Sequence, residues 1–283
     1  MDKRQGRIAY QGEPGANSHI ACNETYPDME PVACKTFEDV LSLVERGDAD
    51  LAMIPVENTI AGRVGDIHHL LPGTTLNIIG EHFMPIRFQL MALPGVELSQ
   101  IRQAHSHIMA LGQCRAFMRE HGIEPIVAAD TAGAARIVKE LGEQTTAAIA
   151  PELAAEVYGL NILARDIEDA EHNTTRFVIM APDPLEHEDV GDDAVTSFLF
   201  QVRNIPAALY KAMGGFATNG VNMTKLESYQ IDGSFTATQF YAEIEGHPDE
   251  RRVQLALEEL GFFSTSLKIM GVFPASAARY ANR

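Results

Sequence analysis

Leu51-Ala52-Met53-Ile54-Pro55-Val56-Glu57-Asn58-Thr59 is an apolar run that stops abruptly on a carboxylate, an amide and a hydroxyl. It follows Phe37 to Arg46, where Phe37, Val40, Leu41 and Val44 recur at helical spacing and Gly47-Asp48 closes the segment. A helix feeding a buried strand is the repeat unit of an α/β sheet, and in open sheets of that class ligands bind beyond the carboxyl ends of the strands. Glu57, Asn58 and Thr59 stand at such an end. Capping of a following helix by Asn58 or Thr59 is the structural use of the same residues, and it is compatible with a site.

Working outward, Arg7-Ile8-Ala9-Tyr10 reads as the first strand, and Gly12 through Ser18 as the turn into a helix carrying His19, Ile20 and Ala21. Backbone amides at such a turn can receive a carboxylate or phosphate. The glycine spacing fits neither a dinucleotide fingerprint nor a P-loop. Downstream, Ile78 to Leu93 forms two apolar runs around Arg87, after which a second α/β unit begins. His105-Ser106-His107 leads into a helix through Ala110 and Arg115, Ile126 to Ala129 is a strand, and Asp130-Thr131 caps a helix over Ala134 to Leu141. Ala147 to Ala150 and then Glu152 to Tyr158 add a strand and a helix stopped by Gly159. The alternation predicts a mainly parallel sheet, or two of them. No Asp, Glu or Cys completes a known ligand set around His105 and His107, so no metal and no cofactor are expected.

The next polar stretch is Asn173-Thr174-Thr175-Arg176-Phe177, between an acidic run (Asp166 to His172) and apolar Val178-Ile179-Met180. A guanidinium fork matches a carboxylate, and a hydroxyl can donate to a departing oxygen, so the pair suits an organic acid. The plainer reading is a loop in which Arg176 pairs with Glu168 or Asp169. Pro182 to Asp193 is too acidic to bury itself and reads as a linker. Beyond it the pattern is strand (Thr196 to Val202), helix (Pro206 to Phe216), strand (Val221 to Ile231), turn at Asp232-Gly233, strand (Phe235 to Ile244), helix (Asp249 to Leu260, stopped by Gly261) and strand (Ser264 to Phe273). That βαββαβ order is the ferredoxin-like plan.

Length and composition bound these readings. A chain of 283 residues with 46% hydrophobic content accommodates two domains. Its net charge of −17 argues against nucleic acid, and an anionic substrate would need locally focused positive potential. No segment reads as a signal peptide or membrane span, and the 3 cysteines follow no ligand or disulfide pattern. Together these predict a cytoplasmic protein with no membrane partner.

The motifs taken together resemble prephenate dehydratase. Asn173-Thr174-Thr175-Arg176-Phe177 is similar to that family's Asn-x-Thr-Arg-Phe signature, Gly12, Gly15 and Ser18 to its opening Gly-x-x-Gly-x-x-Ser, and Ile54 to Gly62 to its Pro-Ile-Glu-Asn-Ser-x-x-Gly. Ser106, His107, Ala110, Leu111, Gln113 and Cys114 match Ser-His-Pro-Gln-Ala-Leu-x-Gln-Cys, with Ile108-Met109 replacing Pro-Gln. The C-terminal part resembles an ACT domain through Asn219 to Ser228, with Pro206-Ala207-Ala208-Leu209 where Gly-Ala-Leu is usual and Tyr229-Gln230 where Arg-Pro is usual.

The resemblance implies a two-lobed, periplasmic-binding-protein-like α/β catalytic domain over residues 1–181, with lobe 1 at about 1–80 plus 165–181 and lobe 2 at about 81–164. A linker at 182–194 and an ACT domain at 195–283 complete it. The implied activity is conversion of prephenate to phenylpyruvate, carbon dioxide and water in phenylalanine biosynthesis, by a monofunctional enzyme because nothing ahead of Arg7 reads as a mutase domain. Arogenate dehydratase and a non-catalytic amino-acid sensor are the alternatives. Thr175 is implied as the catalytic donor, Arg176 as the carboxylate holder, Phe177 as an apolar wall, and Asn173, Glu57, Asn58, Ser18, Ser106 and His107 as substrate-positioning groups. Phenylalanine would bind Asn204, Ala207, Ala208, Leu209, Asn222, Leu226, Glu227 and Ser228 between ACT domains of a homodimer or homotetramer.

Overall fold

The computed structural model describes residues 5–170, 172–203, 205–230 and 237–280. It divides into two compact units, the first comprising Met1–Leu71 and His82–Val178, the second Pro72–Glu81 and Ile179–Arg283. Each is built around its own sheet or sheets.

The N-terminal half alternates strand and helix, with β1, α1, α2, β3 and β5 where the sequence predicts them and β2, β4 and α3 in addition: β1 (Gly6–Gln11), α1 (Asn17–Thr25), β2 (Met29–Cys34), α2 (Phe37–Glu45), β3 (Leu51–Asn58), a short β4 (Gly62–Arg63), α3 (Gly65–Leu70) and β5 (Asn77–Pro85). Helix α2 shows why the local sequence suffices. Thr36 accepts from the Asp39 amide at 3.1 Å while Asp39 accepts from the Thr36 amide at 3.2 Å, and Phe37, Val40, Leu41 and Val44 all turn inward. β1 pairs in parallel with β2 and β3, and the sheet runs β2-β1-β3-β11-β5, where β11 is Thr174–Ala181. Sequence placed the crossing to the second lobe near Gly80. It falls instead at residues 86–88, because β5 runs on through Gly80 to Pro85 before β6 (Gln89–Ala92) starts the second sheet.

That second sheet continues with β7 (Gln103–His107), α4 (Ile108–Gln113), α5 (Arg115–Glu120), β8 (Glu124–Ala128), α6 (Thr131–Leu141), β9 (Thr146–Ala150), α7 (Glu152–Tyr158) and β10 (Asn161–Ala164). Its order is β10-β6-β9-β7-β8. β7 is parallel to β8 and β9, whereas β6 is antiparallel to β9 and β10, so the two strands by which the chain enters and leaves this sheet run against the rest.

The acidic return from β10 to β11 is a clamp. Gln89 exchanges two hydrogen bonds with Asp166, Glu168 takes Arg87 Nη1 at 2.6 Å and the Phe88 amide at 2.9 Å, and Asp169 accepts from the Arg115 and Ala116 amides that open α5. Arg176 therefore pairs with neither Glu168 nor Asp169.

In the second unit, α8 (His187–Val190), β12 (Ala194–Val202), α9 (Ala208–Thr218), β13 (Met223–Gln230), β14 (Ala237–Glu245), α10 (Arg251–Phe263) and β15 (Ser264–Pro274) form one sheet in the order β13-β14-β12-β15. Its recorded pairs are antiparallel, and the order is that of a ferredoxin-like βαββαβ fold. Phe198, Phe200, Phe216, Phe240, Val253 and Leu260 fill the space between sheet and helices.

Three sequence expectations change here. The segment read as a linker coils into α8 and buries Val190. Helix α10 runs through Gly261 to Phe263, since a glycine costs a helix only about 1 kcal/mol and does not by itself end one. Pro72–Glu81, read as part of lobe 1, belongs to the second unit: a Cβ on Gly271 would collide with the Ile78 backbone, so β15 carries glycine where that segment passes. The predicted turn at Asp232-Gly233 lies outside the described residues. No helix is long and apolar enough to cross a membrane among the described residues.

Candidate active site

The carboxyl end of β3 and the start of β11 lie side by side, and four polar side chains lock there. Asn58 Oδ1 accepts from the Ile60 and Ala61 amides at 3.0 and 2.8 Å, which fixes the amide so that Nδ2 must donate. Asn58 thus caps a tight turn rather than a helix. Its Nδ2 reaches Asn173 Oδ1 at 2.8 Å, the Thr174 carbonyl at 3.2 Å and Thr175 Oγ1 at 3.0 Å. Asn173 Nδ2 in turn donates to Gln113 Oε1 of α4 at 2.7 Å. Thr175 Oγ1 thus accepts from Asn58, and its own hydrogen is not used in that bond. The register is held by Thr59, whose hydroxyl donates to the His172 carbonyl at 2.7 Å and accepts from the Thr174 amide at 2.9 Å.

These groups border a cavity of about 310 Å³. Asn58, Asn173, Thr175 and Phe177 line it from the first sheet; Asn17 and Ser18 come from the first turn of α1, His107, Met109, Ala110 and Gln113 from α4 and its cap, and Thr131 from the start of α6. Pro55, Ile86 and Phe88 give it apolar walls. Among its described lining residues there is no Arg, Lys, Asp or Glu. Helix α1 has no side-chain cap, so its first amides are not taken by a capping group, and Ser18 is 7% exposed. The turn before it is pressed against α7: a Cβ on Gly15, whose φ is +91°, would come within 2.7 Å of Ala154 Cα. Glu13 anchors the same turn by accepting from Arg136 Nε and Nη2 at 2.8 and 2.9 Å and from the Tyr158 hydroxyl at 3.2 Å; the Arg136 hydrogen bond holds the Glu13 carboxyl below the usual range.

Strand pleating separates the Thr-Arg pair. Thr175 and Phe177 face the cavity, and Arg176 points to the other face of β11. There it is 3% exposed, reaches Glu57 Oε1 at 3.2 Å and lies 5.8 Å from the Phe83 ring centroid. Arg176 and Glu57, expected as substrate-positioning groups, pair with each other and are not among the described lining residues of this cavity. Ser106 is not among them either, being fully buried with its hydroxyl donating to the Ile149 carbonyl at 2.6 Å. His107 does line the cavity, its Nδ1 accepting from the Met109 amide at 3.3 Å. Sequence missed Asn17, Gln113 and Thr131 as lining groups. Helix N-terminal position was a usable signal for Asn17 and Thr131.

The expected effector residues lie in the second unit. Ala207 precedes α9 with φ of +61°, Ala208 is buried, and Leu209 packs partly on the core. Asn222 Nδ2 donates to Glu245 Oε2 at 2.9 Å. On β13, Leu226 is exposed, while Glu227 is paired with Lys225 at 3.0 Å and accepts from the Tyr229 hydroxyl at 3.3 Å; Ser228 follows on the same strand. Asn204 lies outside the described residues.

A polar network feeding one hydroxyl into a neutral, partly apolar cavity between two α/β sheets, with a ferredoxin-like unit following, describes a small-molecule enzyme. Comparison with known proteins makes the class specific: residues 8–184 match the prephenate dehydratase family. The chain belongs to that family, a lyase family of aromatic amino acid biosynthesis. It is 49% identical to a bifunctional N-acyl-homoserine lactone acylase/prephenate dehydratase of Komagataeibacter europaeus, covering 96% of this chain and 97% of that one. An Arabidopsis thaliana arogenate dehydratase/prephenate dehydratase is 35% identical, over 98% of this chain and 74% of the plant protein. The crystal structure of a prephenate dehydratase from Arthrobacter aurescens in complex with L-Phe superposes with a TM-score of 0.86 at 30% identity, covering 97% of this chain and 96% of that one.

Proposed function

We propose that the chain converts prephenate to phenylpyruvate, with Thr175 donating to the departing ring hydroxyl. The observation that supports this is the Asn58 hydrogen bond to Thr175 Oγ1 at 3.0 Å beside the cavity that Thr175 lines, since an oxygen that accepts from Asn58 keeps its own hydrogen for a substrate oxygen. The electron pair of the ring carbon–carboxylate bond moves into the ring, carbon dioxide leaves, the carbon–oxygen bond breaks, and the expelled oxygen takes a proton to become water. Aromatisation drives the step. Phe177, Phe88 and Ile86 surround the ring, and an apolar wall favours release of a charged carboxylate as a neutral gas.

No guanidinium is among the described lining residues, so the substrate carboxylates are held by dipoles: the uncapped first turn of α1 with Ser18, and the donors His107 and Thr131. This suits a protein of net charge −17 only if the field is local, which the short reach of helix-end dipoles provides. Arg176 acts as a positioning residue through Glu57 and β3. Phenylalanine regulates through the second unit, in a homodimer or homotetramer. The test is phenylpyruvate formation by the purified chain on prephenate beside phenylalanine formation on arogenate; turnover of neither removes the assignment.

A second reading rests on the 49% identity to the Komagataeibacter protein. The chain then also cleaves the amide of N-acyl-homoserine lactones, and fatty-acid release from such a substrate, absent in a heat-killed control, is the check.

A further inference from the structure

In the second unit, three side chains of metal-ligand type converge from places 60 residues apart. His187 opens α8, and His247 and Asp249 lie in the turn between β14 and α10. His187 Nδ1 is 3.2 Å from His247 Nε2 and 3.2 Å from Asp249 Oδ2, which is itself 3.5 Å from His247 Nδ1. Hydrogen bonding alone cannot satisfy the group. His247 Nδ1 accepts from the Asp249 amide at 3.1 Å, so the proton of a neutral ring sits on Nε2 and must be received by the His187 Nδ1 lone pair. That lone pair then faces the Asp249 carboxylate. In every neutral tautomer, one contact sets two lone pairs or two protons against each other.

A cation among them would take the His187 Nδ1 and His247 Nε2 lone pairs and the Asp249 carboxylate as ligands, at the cost of the hydrogen bond from the Asp249 amide to His247 Nδ1. Zinc–nitrogen bonds of about 2.0–2.1 Å place neighbouring ligand atoms of a tetrahedron about 3.3 Å apart. Two of the three edges, both 3.2 Å, meet that spacing, and the three ligand atoms all lie within 4.8 Å of one another. We propose that His187, His247 and Asp249 hold a divalent transition-metal ion, zinc by its donor set, with solvent completing the coordination. Binding moves the His247 proton from Nε2 to Nδ1, which displaces the Asp249 amide from that nitrogen and leaves the Asp249 carboxylate, 3.5 Å away, as its nearest acceptor.

The surroundings keep the ligands in place without the metal. The His247 amide donates to Glu250 Oε1 at 2.7 Å, the Gly246 amide to the Ala194 carbonyl at 2.8 Å, and Thr196 Oγ1 to the Gly246 carbonyl at 2.7 Å. Val190, 3% exposed, anchors α8. Bound metal would pin that helical turn, at the head of the ferredoxin-like unit, to the start of α10. No sequence spacing announces such a set, since one ligand comes from the acidic stretch before β12.

The test is calorimetric titration of the full-length, chelator-treated protein with zinc chloride, with cobalt(II) absorption as a second readout. One ion per chain is expected, together with a visible d–d band of a four-coordinate nitrogen and oxygen set. His187→Ala and His247→Ala should each weaken affinity at least tenfold, and His187, on the surface, is the variant least exposed to a folding artefact. Absence of uptake overturns the proposal, as does uptake that survives both substitutions unchanged.

Discussion

Arg176 and Ala207 show how much a single backbone angle decides. A Thr-Arg pair at the mouth of a strand invites the view that both side chains meet the substrate, but pleating sends neighbours to opposite faces, and Arg176 goes to Glu57. Arg176→Lys keeps the charge and loses the planar fork, so it should lower the melting temperature and reduce kcat while leaving KM within about threefold, the behaviour of a positioning residue rather than a substrate contact. A tenfold rise in KM at unchanged melting temperature would restore direct carboxylate binding. Ala207 sits at φ of +61° where the family usually has glycine. An L-residue there is strained by about 1–2 kcal/mol, part of which glycine returns as chain entropy in the unfolded state. Ala207→Gly should therefore raise stability by up to about 1 kcal/mol in a denaturant titration, and a loss would show that the turn is relaxed as it stands.

Elements were legible where the pattern was local. Helix α2 is spelled out by its capping box and apolar spacing, and α6 by Asp130, which accepts from the Gly133 amide at 2.6 Å. The cavity was legible in part: Thr175, Asn173, Phe177, Asn58, Ser18 and His107 line it, while Arg176, Glu57 and Ser106 are not among its described lining residues. Residue type could not separate them, because neighbouring residues of a strand face opposite sides and the motif alone does not say which side meets the cavity. The α1 element also carries a pH dependence. His19 accepts from the Gly15 amide with Nδ1 at 3.0 Å and stacks on Tyr10 at 5.3 Å, and burial lowers its pKa, as it does for His105. Below about pH 6.5 the unfolded chain takes up these protons and the folded chain resists, so stability falls with acidification. Melting temperatures between pH 7.5 and 5.5 should drop, with a shallower slope for His19→Gln; equal slopes would remove His19 from the effect.

At the scale of the whole molecule, a break near Asp193 looks natural from the acidic run alone. The chain's own packing says otherwise. Pro72–Glu81 belongs to the second unit, where Lys268 Nζ donates to the Thr74 carbonyl at 2.6 Å and Arg279 Nε reaches Glu81 Oε1 at 2.5 Å. Arg279 also holds Glu243 at 2.7 Å, so two carboxylates that are 0% and 1% exposed share one guanidinium. Stopping the chain at Asp193 removes Lys268, Gly271 and Arg279, and with them the strand and the ion pair against which Pro72–Glu81 packs. The truncated chain is expected to melt well below the full-length protein or to be insoluble; an equally stable, active truncation would mean that Pro72–Glu81 does not depend on the C-terminal unit. The fold and family were readable because many motifs occur in one order. This interlock was not, because it joins segments almost 200 residues apart. The central claim is that one hydroxyl, aimed by Asn58, assists the elimination, and the kcat of Thr175→Ala on prephenate tests it most directly. A fall of about 10²-fold or more with KM nearly unchanged is the expected result; a kcat close to that of the unaltered protein would contradict it.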